Sequence, residues 1–559
     1  MPFVVRLVRL WGCISGANLG KNRNGDGFCG KIRTFALRND KKHTTMTKYP
    51  IGIQTFSKII EGGYAYVDKT AYVHRLATEG GYYFLSRPRR FGKSLLISTI
   101  EAYYQGKKEL FKGLALERLE KDWTVHPVIH IDLNAAKYTE PEALDSILDG
   151  HFRYLEKDYG LDTSGLALPE RLKAIIRRAC EQTGQKVVLL VDEYDKPLLE
   201  AIGNESLQDD YRKTLKSVYG LAKSMDNYIQ MAFFTGVSKF SKVSVFSDLN
   251  NLEDISMNDK YVSVCGITEQ ELHEYFDDEV AQMADANGID KGACYECLKR
   301  QYDGYHFRED SVGVYNPFSL LRALKNQDFK DYWLETGTPT FLVETLKRND
   351  YELENLTREE VTSDLLSSLD SIDTNPLPLL YQSGYLTIKG YDPDFRTYSL
   401  GFPNGEVERG FSKFLFNNYA PIRADKSAFF VKSFVLEIRD GQPEKFMSRL
   451  DAMFADQHYQ IVGDAELYFH NVVYVVFKML GFYVDVERHT TDGRMDMLMQ
   501  TKDYIYILEF KVDQSADIAL AQIEEKQYAK PFEADPRKLY KIGVNFSTTT
   551  RRMEGWKII

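Results

Sequence analysis

Short apolar runs alternate with stretches of helical periodicity over residues 46–265. The clearest run, residues 187–191 (VVLLV), is apolar at every position. A strand that is apolar on both faces must be covered on both faces, which favours a parallel sheet with helices packed on either side. The pattern therefore predicts an α/β domain built on a parallel sheet over this part of the chain.

A candidate phosphate-binding loop lies where the strand at residues 81–85 gives way to a helical stretch. The loop ends in Phe91-Gly92-Lys93-Ser94. Gly92 would let the backbone approach a phosphate, Lys93 would contact the β- and γ-phosphate oxygens, and the Ser94 hydroxyl would ligate Mg²⁺. This junction predicts an ATP site.

Three arginines precede the glycine of this loop. Arg87 stands where the first glycine of the usual GxxxxGK[ST] pattern would fall, so the motif is incomplete at that position. Arg89 and Arg90 are close enough in sequence to pair with phosphates, because guanidinium groups match phosphate oxygens in geometry and charge. The alternative is that Arg89 and Arg90 only contact neighbouring loops.

Two acids, Asp192 and Glu193, directly follow the apolar run 187–191. In a parallel sheet they would lie at the carboxyl edge, near the predicted phosphate loop. Asp192 would then serve the Ser94 metal site and Glu193 would orient an attacking water. Thr235 or Ser238, which follow another apolar run, could monitor the γ-phosphate. The alternative is that the acids only cap a loop after a core strand.

A second candidate site combines Asp496 with Glu509 and Lys511 near the C-terminus. Both stretches alternate with strand period, and residues 501–503 read as the turn between them. Antiparallel pairing would bring the two carboxylates together, and Lys511 would share a face with Glu509. This arrangement suits Mg²⁺ and a scissile phosphate. The alternative is an exposed ion pair, which contributes little.

The remaining sequence divides by its pattern. The first stretch is turn-rich and reads as a disordered arm or as the product of a start codon placed too far upstream. A helical region follows the α/β domain and ends in a hairpin typical of winged-helix modules. We predict boundaries at 1–45 (extension), 46–265 (α/β domain), 266–400 (helical and winged-helix-like region), 401–460 (linker or helical segment) and 461–559 (final domain).

Charge and composition limit the function classes. The net charge is −10, and the last 96 residues carry 13 Lys/Arg against 15 Asp/Glu, so a broad basic surface for nucleic acid is absent. No apolar run reaches the ~18 residues that would cross a bilayer. Six cysteines in 559 residues favour a reducing compartment. We therefore expect a cytoplasmic protein without a membrane partner.

RPRRFGKSLL and DEYDKPLL, together with YPIGIQTF, YVDKT, FTGVSKFS, YDGYHF and YNPFSLL, resemble the AAA-ATPase-like family of bacterial proteins. Arg87 belongs to the pattern of that family. GRMDML, YILEFKV and ALAQIEEKQYA resemble the PD-(D/E)XK nuclease superfamily domain that usually follows this ATPase. The resemblance implies metal ligation by Asp496 and Glu509, with Lys511 beside them. It further implies that other helices contribute Glu466, and Gln522 or Gln527 with Tyr528.

Two functions follow from these features. The first is an ATP-binding and ATP-hydrolysing protein, coupled to a Mg²⁺-dependent nuclease-fold domain that acts on nucleic acid, with DNA as the expected form. The alternative is a nucleotide-dependent switch or binding protein whose nuclease fold is a non-catalytic interaction module. Either could work as a monomer or as a homo-oligomer.

Overall fold

The computed structural model describes residues 47–559 except positions 136, 240–245, 247–248, 250, 334–339, 367–374, 421, 423–424, 456–464, 492–493 and 551. The extension predicted at residues 1–45 lies outside the described residues.

The first domain contains a parallel five-stranded sheet. Its strands are β1 (Gly81–Ser86), β2 (Val128–Asp132), β3 (Val187–Asp192), β4 (Ile229–Gly236) and β5 (Leu252–Asp254). They pair in the order β2-β3-β4-β1-β5. Its helices are α1 (Phe56–Glu61), α2 (Thr70–Glu79), α3 (Lys93–Tyr104), α4 (Ala115–Leu119), α5 (Ala143–Tyr159), α6 (Leu168–Thr183), α7 (Lys196–Glu200), α8 (Glu205–Tyr219) and α9 (Leu221–Ser224). The predicted parallel α/β fold is confirmed.

Strand β3 shows why this sequence forms a parallel sheet. Each of its residues is buried, and both α3 and α6 pack against it. Because β4 lies between β1 and β3, the carboxyl ends of these three strands meet at one edge of the sheet. The loop after β1 and the acids after β3 are therefore brought to the same edge.

The middle region is helical and ends in a winged-helix-like module. Its elements are β6 (Ile267–Thr268), α10 (Glu269–Tyr275), α11 (Asp277–Asn287), α12 (Lys291–Tyr302), β7 (Val314–Tyr315), α13 (Pro317–Asn326), α14 (Thr340–Arg348), β8 (Glu360–Thr362), α15 (Ser363–Leu366), α16 (Leu377–Gln382), β9 (Thr387–Asp392) and β10 (Thr397–Gly401). Strands β8, β10 and β9 form an antiparallel sheet in that order. The succession from α14 to β10 matches the predicted winged-helix shape.

Three helices occupy most of the segment that follows: α17 (Gly405–Tyr419), α18 (Ser427–Arg439) and α19 (Pro443–Ala455). The turn between α18 and α19 is fixed to the final sheet, because the Tyr506 hydroxyl donates to the Ile438 carbonyl over 2.6 Å. The Tyr540 hydroxyl likewise donates to the Gly441 carbonyl over 3.2 Å. These two helices therefore pack as part of the last domain.

The final domain has a mixed sheet. Its elements are α20 (Ala465–Leu480), β11 (Asp485–Thr491), β12 (Arg494–Gln500), β13 (Tyr504–Val512), α21 (Ala516–Glu525), β14 (Lys538–Ser547) and β15 (Arg552–Ile558). The strands pair in chain order, antiparallel except for the parallel pair β13–β14. Parallel neighbours need a crossover connection, and α21 supplies it. This mixed α/β sheet agrees with the predicted restriction-endonuclease-like domain.

A single cluster of buried apolar side chains extends from the first sheet through the winged-helix-like module to the final sheet. The helices α10 to α13 have a smaller core of their own. Among the described helices, none combines the length and the apolar character needed to cross a membrane.

Candidate functional site

The loop between β1 and α3 turns at Gly92, whose φ of 94° lies in the left-handed region. Among the described residues, nothing beyond its chain neighbours lies within 4 Å of the place a Cβ would take. Backbone conformation, rather than lack of space, therefore favours glycine at this position. Helix α3 begins at the next residue, so its N-terminus, which attracts anions, follows the loop directly.

The loop borders a cleft of about 610 Å³. The first domain contributes Arg89, Arg90, Gly92, Lys93, Ser94 and Glu193 to the cleft wall. The middle region contributes Phe318, Leu321, Trp333, Leu379, Ser383 and Tyr385. The volume of the cleft lies within the range that accommodates small ligands and cofactors, and cationic and apolar groups converge on the cleft.

Lys93 is held in place by the loop that precedes it. Its ammonium group is buried and donates to the carbonyls of Arg87 over 3.1 Å and Pro88 over 3.4 Å. It also lies 3.4 Å from Oε1 of Glu193. Two of the predicted site residues, Lys93 and Glu193, are thus brought together although they lie far apart in the first domain's sequence.

The two acids after β3 have different surroundings. Asp192 is buried, and its Oδ1 accepts a 2.6 Å hydrogen bond from the Thr235 hydroxyl of β4. Glu193 lines the cleft and has a φ of 54°, an uncommon value for a residue with a side chain. Backbone strain of this kind concentrates at functional sites.

Asp195 was not among the residues predicted from the sequence. Its side chain is fully buried and accepts hydrogen bonds from the backbone amides of Val237 over 3.0 Å and Ser238 over 2.6 Å, and from the Ser238 hydroxyl. Burial, reinforced by the charge of Glu193, raises the pKa of Asp195 to about 6. Asp195 therefore ties the loop after β4 to the loop after β3. The signal that could have found it is its place as the last acid of the DEYD stretch.

Arg87 explains the missing glycine of the phosphate loop. Its side chain is buried and points into the protein, where it donates to the carbonyls of Ser256 over 2.8 Å and Tyr261 over 3.1 Å. Its guanidinium carbon lies 3.9 Å from the centre of the Phe307 ring. Arg87 thus braces the loop from behind.

Arg89 and Arg90 are exposed and line the cleft. The guanidinium of Arg90 stacks on the Phe318 ring at 4.0 Å from its centre, and Arg322 approaches the same ring at 4.9 Å. Partial withdrawal of the Arg90 guanidinium from solvent lowers its pKa, and the positive charges of Arg322 and Arg89 lower that pKa further. A bound anion would relieve this repulsion between like charges.

Helix α16 directly precedes the β9–β10 hairpin, as a recognition helix does in winged-helix modules, yet it packs inward. Five of its six residues, all except Tyr381, are buried. The Gln382 side chain accepts a 2.8 Å hydrogen bond from the backbone amide of Lys239. Leu379, Ser383 and Tyr385 line the cleft. The winged-helix-like module therefore forms part of the cleft wall.

The second candidate site lies where β12 and β13 pair. The antiparallel register sets Asp496 directly opposite Glu509, as predicted from the spacing. Lys511 lies two residues further along β13, and its Nζ is 2.6 Å from Oε1 of Glu509. The side chain of Glu509 is fully buried, and that of Lys511 is 5% exposed. The pair is therefore a buried one rather than an exposed surface ion pair.

Helix α21 adds a further group to this site. The side-chain oxygen of Gln522 accepts a 2.6 Å hydrogen bond from Lys511. Of the alternatives suggested by the resemblance, Gln522 is thus the residue that contacts Lys511. Tyr528 packs against the small apolar cluster beneath the sheet, while Gln527 lies just after the helix. Glu466 lies in the first turn of α20 and is exposed.

The side chains at this second site fit a hard divalent cation. Oε2 of Glu509 is buried and accepts no hydrogen bond from any residue that the structure describes. A buried carboxylate oxygen without a donor is costly, and a cation bound there would remove that cost. Among the described side chains, no group of three or more His, Cys, Asp or Glu residues is arranged to hold a metal. Glu509 is therefore the described candidate ligand, and Asp496, its register partner, stays a prediction.

Comparison with known proteins matches two parts of the chain to known families. A family model described as a predicted AAA-ATPase matches residues 50–246. A model described as the PD-(D/E)XK nuclease superfamily matches residues 464–556.

The chain is also similar to a protein of Azotobacter chroococcum mcd 1 that is named as an uncharacterized protein in the vnfD 5′ region. The two are 35% identical over 524 residues, which span 91% of this chain and 98% of the relative. The resemblance predicted from the sequence is confirmed. The chain belongs to the family of proteins in which a predicted AAA-ATPase domain is followed by a PD-(D/E)XK nuclease superfamily domain.

Proposed function

We propose that the chain binds and hydrolyses ATP and that the nucleotide controls Mg²⁺-dependent cleavage of nucleic acid, DNA being the expected form, by the final domain. The observation that carries this proposal is the convergence of Lys93 and Glu193 at a phosphate loop that borders a cleft of about 610 Å³. The buried pair of Glu509 and Lys511 opposite Asp496 supports the nuclease half.

At the first site, we assign each predicted residue a role. Lys93 binds the β- and γ-phosphate oxygens, and Arg89 and Arg90 balance further negative charge at the mouth of the loop. Ser94 and Asp192 hold Mg²⁺, which neutralises the phosphates when bound. Glu193 orients the attacking water, because it is the acid that faces both the cleft and Lys93.

An apolar cavity of about 100 Å³ adjoins the cleft and suits the base of the nucleotide. The two share lining residues from the start of the domain, the phosphate loop and helix α13, namely Pro50, Gly92, Leu95, Pro317 and Leu321. A nucleoside triphosphate could therefore place its flat base in the apolar cavity and its phosphates on the loop.

At the second site, Asp496 and Glu509 hold Mg²⁺, whose Lewis acidity polarises a scissile phosphate when it is bound. Lys511 stabilises negative charge that develops on the phosphate or orients the nucleophile. Gln522 fixes the position of the Lys511 ammonium through their 2.6 Å hydrogen bond.

The ATP site is tested by measuring ATP turnover with Lys93→Ala. We expect turnover to be lost, because the group that contacts the β- and γ-phosphates is removed. Lys213→Ala is the matched control, since Lys213 is 77% exposed and pairs with a neighbouring surface acid, Asp210. Unchanged turnover in Lys93→Ala would refute the ATP site.

The nuclease site is tested by nicking of supercoiled DNA with Mg²⁺, with and without ATP. We expect Asp496→Ala and Lys511→Ala to abolish nicking, and Asp517→Ala, which removes an exposed acid of the same domain, to preserve it. Cleavage that persists in Asp496→Ala would refute the assignment of the metal site.

The second candidate is a nucleotide-dependent switch with a non-catalytic nuclease fold in the cytoplasm. The inward packing of α16 favours it, because the module that would respond to the nucleotide forms part of the cleft wall. Absence of cleavage on every DNA and RNA substrate, together with ATP-dependent binding of nucleic acid, would support this candidate. A steep fall of affinity with salt would show that the contact is made to phosphates.

A further inference from the structure

Helix α17 contacts both the wall of the nucleotide cleft and the first helix of the nuclease-like domain. It begins after Asn404, whose side chain accepts a hydrogen bond from the Val407 amide over 3.1 Å and donates to the Asp303 carbonyl over 2.8 Å. The helix also packs against α20. A rigid helix fixed at both ends can carry a displacement from one site to the other.

The first turn of α17 is anchored at the cleft by Glu406. This side chain is fully buried and accepts hydrogen bonds from the Ser319 hydroxyl over 3.0 Å, from the Trp333 amide over 2.8 Å and from the Tyr332 amide. The indole N–H of Trp333 in turn donates to the carbonyl of Arg89 in the phosphate loop over 3.4 Å. Both Trp333 and Arg89 line the cleft.

The anchor at Glu406 is incompletely satisfied. Its Oε2 atom is buried and accepts no hydrogen bond from the residues that the structure describes. Burial raises the pKa of this carboxyl to about 7 despite the hydrogen bonds from Trp333 and Ser319. A buried acceptor without a donor is energetically costly. A change at the loop that gave Oε2 of Glu406 a donor would therefore favour a second arrangement of the anchor.

Both ends of α17 are attached to α20. In its first turn, Glu408 pairs with Lys478 of α20 at 2.5 Å. At its far end, the carbonyl of Tyr419, the last residue of α17, accepts a hydrogen bond from the Tyr468 hydroxyl over 3.2 Å. The neighbouring Phe469 continues the contact into the nuclease-like sheet.

An aromatic stack joins α20 to the strand that bears the candidate metal ligand. Phe469 stacks on Phe546 of β14 at 4.7 Å between ring centres, with an angle of 18° between the ring planes. Phe546 stacks on Phe510 at 6.0 Å and 15°. Phe510 lies between Glu509 and Lys511 on β13. The chain of contacts is therefore continuous from the phosphate loop to β13, whose opposite face carries Glu509 and Lys511.

We propose that α17 is a relay: occupation of the cleft changes the Arg89–Trp333 contact, Glu406 passes this change to α17, and α17 passes it to α20 and β13. The relay rests on the proposed ATP site, and it adds a route by which nucleotide binding affects the nuclease-like domain. Coupling of this kind requires an element that both sites bias, and the Glu406 anchor is that element.

The test is hydrogen–deuterium exchange on the full chain, with and without ATP and Mg²⁺, with ATP affinity measured on the same samples. In the wild type we expect ATP to change the exchange rates of α17, α20 and β13 amides about fivefold or more, the lower end of typical allosteric coupling. Glu406→Gln keeps the size and one acceptor oxygen of the side chain but removes its charge. It should bind ATP and lose the response in α20 and β13.

Glu437→Gln is the matched control, because Glu437 is also a buried glutamate but pairs with Arg449 on α19 rather than with a residue of the relay. It should keep the wild-type response. Trp333→Phe, which removes the indole N–H together with part of the ring system, and Lys478→Met, which breaks the pair with Glu408, should each lose the response, so the test does not depend on the folding of Glu406→Gln.

Two different failures are distinguishable. If the wild type binds ATP but its exchange changes only within residues 50–265, or if the Glu406, Trp333 and Lys478 variants all respond fully, the relay is refuted while the ATP site stands. If the wild type does not bind ATP, the proposed function is refuted and the relay with it.

Discussion

Replacing Lys511 by methionine tests whether the buried pair at the second site acts as an energetic unit. The Lys511 ammonium lies 2.6 Å from Oε1 of Glu509, and both side chains are withdrawn from solvent. Removing one partner of a buried ion pair costs about 3–5 kcal/mol, because the other charge stays buried without compensation. We expect Lys511→Met to lower the free energy of unfolding of the final sheet by this full amount.

The assay is native-state hydrogen exchange of the β13 and β14 amides, which reports the stability of this domain separately from the rest of the chain. A loss of 3–5 kcal/mol corresponds to exchange faster by roughly a hundredfold to several thousandfold, at about 1.4 kcal/mol for each factor of ten. Glu509→Gln combined with Lys511→Met leaves no buried charge at the pair. The double variant should therefore be markedly more stable than Lys511→Met alone.

Lys557→Met is the matched control. Lys557 pairs with Asp517 at 2.5 Å in the same domain, but both side chains are more than half exposed. An exposed pair contributes little, so exchange should change by at most about fivefold. Equal effects of Lys511→Met and Lys557→Met would refute the reasoning. The reasoning would also be refuted if the free-energy changes of Glu509→Gln and Lys511→Met added up to that of the double variant, because contacting residues should be coupled.

Three other substitutions test the architecture of the cleft. Arg87→Ala should lower the free energy of unfolding of the first domain by about 3 kcal/mol, measured by urea denaturation, because two buried carbonyls lose their donor. Gly384→Ala should weaken ATP binding about tenfold in calorimetry, because φ is 87° and the new Cβ would lie 2.6 Å from Pro88. The raised pKa of Glu406, about 7 against an ordinary 4.5, means that stability falls as pH rises through this window. Glu406→Gln should remove this fall, about 3 kcal/mol at most, in thermal unfolding at pH 5 and pH 8. Unchanged stability in Arg87→Ala, unchanged affinity in Gly384→Ala or an unchanged pH profile in Glu406→Gln would contradict the respective assignment.

Local patterns were enough to predict the features that depend on local structure. The opposition of Asp496 and Glu509 follows from strand alternation on both sides of a three-residue turn, and the observed register pairs them directly. The loop ending at Gly92 was predictable for the same reason, since a strand, a glycine and a helix follow each other within a few residues. The parallel sheet required only the recognition that 187–191 is apolar on both faces.

The features that the sequence did not reveal depend on contacts between distant residues. Asp195 meets Ser238 across 43 positions, and Glu406 meets Trp333 across 73. Arg87 donates to carbonyls 169 and 174 positions away. The local sequence pattern of the loop therefore does not indicate that its side chain points inward. The inward packing of α16 has the same origin, because a short apolar helix does not indicate which neighbour covers it.

The packing of the winged-helix-like module bears on which part of the chain would touch nucleic acid. In winged-helix modules that read DNA, the recognition helix is exposed and basic side chains approach the phosphates. Here α16 is buried against the cleft, and the tip of the β9–β10 hairpin carries Asp392 and Asp394 beside an exposed Phe395. The same tip carries Arg396, so its two acids outnumber its one basic residue, and the net negative charge would repel phosphates. We therefore expect a nucleic acid to bind the final domain, and the winged-helix-like module to respond to the nucleotide.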